Sequence, residues 1–346
     1  MARIEDLFSL SEIQSYVQQR NYQPTLGEGL FPNVKDDVVD ISYILGANSL
    51  PVSASVRAVD AETQIASRQA GGEVFSHEIF VIARKIPLTE RYILELARTT
   101  DSAVLNSYKR ELFNDVDRMV ESVRVRIEAM RMEALFNGML EINENGYVGT
   151  VDYQVPAEHQ IELTGTDVWG GSTSDWIANI DAWTALLAEK GVTATRILTS
   201  SAVLRTLTGS AITRQYMGLG DAQYVSVPSL NAWLTSQGLP TFAVYDQVYG
   251  IEKNDGTVET HRYVPEGKIV LFGSQPVGVT QFGITAEEVE LRLDAGKTVQ
   301  NFGNIVAVIE REGDPPTRWT KAVARALPSF TAAQQVIQAT VLAPSP

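Results

Sequence analysis

The sequence predicts an α+β fold, and three observations carry that prediction. The first is a helical pattern over residues 100–137. Val104, Tyr108, Leu112, Val116, Met119, Val120, Val123, Ile127, Met130 and Ala134 recur there in steps of three and four, with no Gly or Pro to interrupt them. The second is strand-like sequence on both sides of that helix, marked by period-two alternation and by β-branched and aromatic runs. The third is an alternation of helical and strand patterns over residues 165–294, the signature of a compact mixed domain.

Residues 9–20 predict a short amphipathic helix. Ser9-Leu10-Ser11-Glu12 has capping-box form, and Leu10, Ile13, Tyr16 and Val17 make an apolar stripe. Residues 21–33 hold Pro24, Gly27, Gly29 and Pro32 within nine positions, which predicts an extended arm instead of a continued helix. Leu26, Leu30 and Phe31 are apolar side chains on an arm that has no core of its own, so they must dock on this subunit or on another. Residues 38–45 and 74–86 read as strands, and Val52, Ala54, Val56 and Ala58 alternate with Ser53, Ser55 and Arg57. The intervening segment 60–72 is polar, with Ile65 its only large apolar residue. Two readings stand for it: a solvated surface loop, or a projecting arm that lies on a neighbour, where Arg57, Glu62, Arg68 and Glu73 make intersubunit ion pairs.

At about 1.5 Å per residue the long helix spans roughly 57 Å. Thr99, Thr100, Asp101 and Ser102 supply N-cap candidates, and Asn137-Gly138 is a stop signal. Asp101 and Glu111 lie early, while Arg124, Arg126 and Arg131 lie late, as the helix dipole favours. No second long helix of matching pattern exists to build a bundle. The alternative is a spine laid across sheets, its other face covered by neighbouring subunits. Downstream, residues 146–155 are extended. Residues 174–190 predict a helix burying Trp176, Ile177, Ile180, Trp183, Leu186 and Leu187, ended by Gly191. A strand at 194–200, helices at 201–207 and 228–237, a strand at 242–248, a hairpin across 253–256 and a strand at 268–272 follow. Strand candidates at 303–312 and 318–327, parted by the turn 313–316, return to the sheet beside the long helix, so the first domain is discontinuous.

Composition narrows the function. Of 346 residues 44% are hydrophobic and 20% charged, as in a globular protein with ample core. Zero cysteines exclude disulfides, thiolate metal sites and cysteine nucleophiles. No apolar run reaches membrane-spanning length, and the first residues lack signal-peptide character, so assembly in the cytoplasm is expected. The net charge of −14 opposes phosphate binding and anionic membranes. The histidines, His77, His159 and His261, form no metal-binding spacing, and His77 and His261 are expected to be solvated or hydrogen-bonded strand residues. Ala295-Gly296-Lys297-Thr298 superficially matches a phosphate loop, but the position that needs its first Gly is Leu291. Asp36-Asp37 and Glu287-Glu288 are adjacent carboxylates that point different ways on a regular backbone, and they are expected to be solvated charges, not an acid/base pair. No catalytic, cofactor-binding or metal-ligating residue is assigned.

The Arg- and Met-rich end of the long helix (126–138), Val151-Asp152-Tyr153, Thr173-Ser174-Asp175-Trp176, the PVGVTQFGIT segment (276–285) and RALPSF (325–330) stand in a telling order. Together they resemble the lambda-type (protein E) major capsid proteins of tailed bacteriophages. That resemblance implies a Hong Kong 97-type capsid fold: an N-terminal arm at 1–37, a strand at 38–49, an extended E-loop at 50–87, a peripheral domain at 88–160 with its spine helix, an axial domain at 161–299, and peripheral return strands at 300–346. It implies self-assembly as hexamers and pentamers into an icosahedral head enclosing double-stranded DNA, without sequence-specific binding. Portal, scaffold, head-maturation protease and a decoration protein are the implied partners. On this reading Leu26, Leu30, Phe31, Arg57, Glu62, Ile65, Arg68, Glu73, Arg124, Arg126 and Arg131 are candidate intersubunit contacts, and no catalytic residue or Lys–Asn crosslink carries over. The alternatives are a cytoplasmic α/β enzyme or ligand-binding protein centred on residues 165–294, and another virion component such as a tail or decoration protein.

Overall fold

The computed structural model describes residues 10–44, 74–88, 90–98, 101–144, 146–171, 174–220, 223–253, 255–273, 276–294, 303–312 and 317–343. The strand expected at 52–58, the polar segment 60–72 with Arg57, Glu62, Ile65, Arg68 and Glu73, the Ala295–Thr298 tetrapeptide and the 313–316 turn lie outside them. The chain divides into two compact units. One comprises Met1–Ile41, His77–Arg131 and Val279–Ser329, and the other Ser42–Ser76, Met132–Gly278 and Phe330–Pro346.

The first unit is a sheet with a long helix packed along it. Its elements are α1 (Leu10–Gln19), α2 (Leu26–Leu30), β1 (Asn33–Lys35), β4 (Phe80–Leu88), α3 (Glu90–Arg98), α4 (Ser102–Asn137, to Arg131 in this unit), β13 (Val279–Gly283), α9 (Ala286–Asp294), β14 (Val306–Glu312) and β15 (Thr317–Ser329). Strands β2 (Asp40–Ile44) and β3 (Val74–Glu78) pair separately. The 13-residue β15 is the hub of the five-stranded sheet. Antiparallel β4 lines one side of it from Arg318↔Leu88 to Ala326↔Phe80. On the other side β14 pairs its first half and β13 its second, and β1 adds to β13 in parallel.

Alternation explains why helix and sheet fit. Ala322, Ala324 and Ala326 present small side chains to one face, where Leu112, Val116, Met119, Val120, Val123 and Ile127 of α4 pack on them. Val306, Val308 and Val323 turn to the opposite face and meet Leu291 of α9. The α4 helix runs uninterrupted through Asp115–Asp117 for 36 residues. Asp101 caps its start, its Oδ1 accepting from the Ala103 N–H at 2.8 Å. Gly138 ends it at φ +69°, a left-handed backbone that disfavours any side chain.

The second unit is a five-stranded sheet with helices over it. It contains β5 (Met139–Glu144), β6 (Tyr147–Asp152), β7 (Gln160–Glu162), α5 (Trp176–Glu189), β8 (Arg196–Thr199), α6 (Ser201–Gly209), α7 (Ala211–Tyr216), α8 (Val227–Ser236), β9 (Thr241–Val244), β10 (Val248–Glu252), β11 (Val258–Arg262), β12 (Lys268–Phe272) and β16 (Val336–Thr340). The sheet order is β7-β16-β12-β8-β9, and β5–β6 and β10–β11 are separate hairpins. Its core gathers Trp169, Trp176, Ile180, Trp183, Leu204, Leu230, Leu271 and Ile337. Asp175 caps α5, and the buried Trp176 Nε1 donates to Thr213 Oγ1 at 3.0 Å.

Several sequence expectations need correction. The segment expected to be wholly extended contains α2, because tertiary hydrogen bonds hold Gly27 in place despite its low helix propensity. Residues 279–283, expected in the axial region, pair with β15 in the first unit. Residues 336–340, expected with the return strands, pair with β12 in the second. Ladder partners, not sequence proximity, decide both.

Candidate functional site: the junction of the N-terminal segment with the long helix

One side of α4 carries Asp117, Glu121, Arg124, Glu128 and Arg131, a charged stripe at helical spacing beside its apolar stripe. Residues 10–37 engage this stripe. At its lower end Glu128, fully buried, accepts from the Gly27 N–H at 2.8 Å through Oε1 and from Thr25 Oγ1 at 2.6 Å through Oε2. Arg131 lies one turn on, its Nη1 3.4 Å from Glu128 Oε2. Its Nε donates to Thr280 Oγ1 at 2.8 Å, another guanidinium nitrogen donates to Asn33 Oδ1, and the Thr280 hydroxyl donates to the Phe31 carbonyl at 3.1 Å. Each buried polar group in this cluster therefore has a partner, which is the condition for a charge to be tolerated inside. Burial pulls the Arg131 guanidinium below its ordinary pKa, and Glu128 opposes that pull.

Further up the helix, Asp117 accepts from Tyr16 at 2.8 Å and Tyr22 at 2.9 Å, with Arg20 3.4 Å away. Burial, then the bond to Asp117, raises both phenols above the usual tyrosine range. Between the two carboxylates Arg124 donates to the Gln23 carbonyl at 2.8 Å, pairs with Glu121 at 3.1 Å and Glu28 at 3.7 Å, and lies over the Tyr22 ring at 5.0 Å. The end of the segment is fastened to α9: Lys35 reaches Glu288 at 2.7 Å, and Arg292 bridges Glu288 at 2.7 Å and Asp37 at 2.9 Å. The bond from Arg292 holds the exposed Asp37 carboxyl below the usual carboxylate range. A cavity of about 530 Å³ remains in this unit, with Tyr22, Arg124, Arg131, Phe282 and Ile305 among its walls.

Of the residues expected to make intersubunit contacts, Leu30, Phe31 and Arg131 are buried within their own unit. The Leu30–Phe31 pair docks on this subunit, the first of the two alternatives, and Arg131 serves the internal network because its charge is already matched there. Leu26 and Arg124 are partly buried at the same junction, and Arg126, half-buried, lies off the charged stripe. In the sequence Arg124 and Arg131 stand out as dipole-matching charges and candidate intersubunit contacts, whereas Asp117, Glu121 and Glu128 do not. Their spacing in threes and fours was the available signal. The arrangement holds polypeptide and has no reacting centre. Among the described residues no three His, Cys, Asp or Glu side chains converge to hold a metal ion. No described helix is long and apolar enough to cross a membrane.

A family model described as phage major capsid protein E matches residues 9–341. Among solved structures, a prophage capsid protein from E. coli CFT073 superposes with a TM-score of 0.62 at 16% identity, covering 96% of this chain and 99% of that one. A phage-related protein from Bordetella bronchiseptica RB50 gives a TM-score of 0.57 at 10% identity over the whole of both chains. No individually curated protein matches. At such identities the likeness establishes the Hong Kong 97-like capsid fold.

Proposed function

Because the chain belongs to the phage major capsid protein E family, and so forms capsids by self-association, we propose that its copies assemble as hexamers and pentamers of an icosahedral head enclosing double-stranded DNA. The family is structural, and the enzyme alternative centred on 165–294 finds no support in it. The observation that carries the finer reading is the long helix with two unlike stripes. Its apolar stripe fixes it to the sheet, and its charged stripe fixes the N-terminal segment to it. A shell tile needs such a stiff member with a strap held to it. Residues 1–37 act as the arm and 50–87 as the E-loop, with the first unit as the peripheral part and the second as the axial part. The acidic balance suits a container, since 42 acidic against 28 basic residues disfavours gripping phosphates. Assembly takes place in the bacterial cytoplasm with portal, scaffold and head-maturation protease, and a decoration protein is a further partner.

The test is particle formation. Expressed alone or with a scaffold, the protein should give capsomers, sheets or closed shells in negative-stain micrographs. A clean monomer at every concentration, with and without scaffold, overturns the proposal. Deleting residues 60–72 should leave a soluble monomer that makes no stable shells, and shells of normal stability would remove the E-loop from the assembly mechanism.

A further inference from the structure

We propose that His159 is an acid-operated catch that frees the edge strand β7 from the sheet of the second unit. His159 closes a single 3₁₀ turn, Ala157–His159, immediately before β7. Its side chain is 0% exposed, and neither ring nitrogen makes a well-formed hydrogen bond, though the Val336 backbone of β16 acts on the ring. Buried polar atoms are nearly always bonded, so this imidazole sits where its neutral form is only tolerated and a cation would lose its water for little return. Burial accordingly holds its pKa below the ordinary histidine value, with Glu158 and the Val336 backbone opposing and Lys190 reinforcing.

The charged groups around it do not alter that balance. Glu158 Oε1 lies 3.8 Å from Nε2, but it is half in solvent and already paired with Lys190 at 2.9 Å. Strand β7 contributes Glu162, which acts on Lys268, and β16 carries no ionisable side chain. What His159 secures is weakly held. Strand β7 joins β16 through three parallel residue pairs, Gln160↔Gln338, Ile161↔Ala339 and Glu162↔Thr340, at the end of the sheet. Protonation needs the turn to leave its site, and β7 is the next piece of chain.

The sign follows from linkage. The closed state binds fewer protons than the open one, so its advantage is complete above the open-state pKa of about 6.5 and is lost as pH falls below it. Opening bares the edge of β16, a row of unpaired backbone groups able to pair with another chain. Acid would thus convert a finished sheet into an adhesive one.

Hydrogen exchange on the full-length chain, corrected for the intrinsic pH dependence, tests this. Between pH 7.5 and 5.0, peptides spanning 157–163 and 336–341 should exchange faster by up to roughly thirtyfold, the limit set by an open-state pKa near 6.5. Peptides over β12 should change far less. His159→Phe cannot take up a proton and should abolish the acid response while leaving exchange at pH 7.5 little changed. Exchange at the histidine ring carbon of the wild-type protein should give His159 a midpoint below about 6.5. A midpoint at or above that value, or an acid response equal in His159→Phe, overturns the proposal. Should that variant fail to fold, the two wild-type measurements still decide.

Discussion

At the scale of single residues, the junction turns on one buried carboxylate. Glu128 serves the Gly27 backbone, the Thr25 hydroxyl and the Arg131 guanidinium at once. Glu128→Ala strands Arg131 as an unpaired buried charge, and the loss should be about 3–5 kcal/mol by chemical denaturation. A loss below about 1 kcal/mol would mean that water already reaches this cluster. Gly27 is the complementary case. A Cβ there would lie 2.4 Å from Glu128 Oε2 and 2.9 Å from Arg131 Cδ, whereas one at Gly29 would meet nothing within 4 Å. Gly27→Ala should therefore cost about 1–3 kcal/mol through crowding, and Gly29→Ala should be neutral or slightly stabilising. Equal melting temperatures for the two variants would contradict the packing described. Neither residue was legible in the sequence as a site. Glu128 reads as one more helix charge, because its partners at Thr25 and Gly27 are about a hundred positions away. The apolar pair Leu30–Phe31 was legible as something that must dock, though not as docking on its own subunit.

At the scale of elements, α4 was legible because every local signal agreed: periodic apolar residues, Asp101 at the start, Gly138 at the end and no breaker between. Its continuity matters mechanically, and Arg118 is the place to test it, with a side chain 72% exposed near the helix middle. Arg118→Pro should cost about 3 kcal/mol or more by removing a helical hydrogen bond and clashing with the preceding turn. Arg118→Ala should stay within about 0.5 kcal/mol. A tolerated proline, seen as unchanged urea unfolding and helical circular dichroism, would show that the two ends of α4 are independent. Other elements escaped sequence reading for a common reason. Strands β13 (VTQFG) and β16 (VIQAT) are short and buried along nearly their whole length, so they show no clean alternation. Helix α2, with two glycines in five residues, forms through a tertiary contact that no propensity reveals.

At the scale of the molecule, charge sets the terms on which copies meet. A net charge of −14 means that approaching copies repel, and any cohesion between them must overcome that repulsion. Screening acts on the two contributions differently. The Debye length shrinks from about 30 Å at 0.01 M to about 3 Å at 1 M ionic strength, which removes the long-range repulsion and leaves buried apolar contacts untouched. Among the described residues of the first unit, Arg124, Arg131, Lys35 and Arg292 are committed to pairs within the chain. With these charges engaged internally, apolar and backbone contacts are expected to supply the main cohesion between copies. The concentration at which the protein begins to assemble should consequently fall as sodium chloride rises from 50 to 500 mM, as followed by static light scattering at pH 7.5. A threshold that rises with salt would locate the cohesion in intersubunit ion pairs instead. In that case Arg57, Glu62, Arg68 and Glu73 would be the first residues to neutralise, singly and in opposite-charge pairs, since only a true pair would lose its salt dependence when both partners are removed.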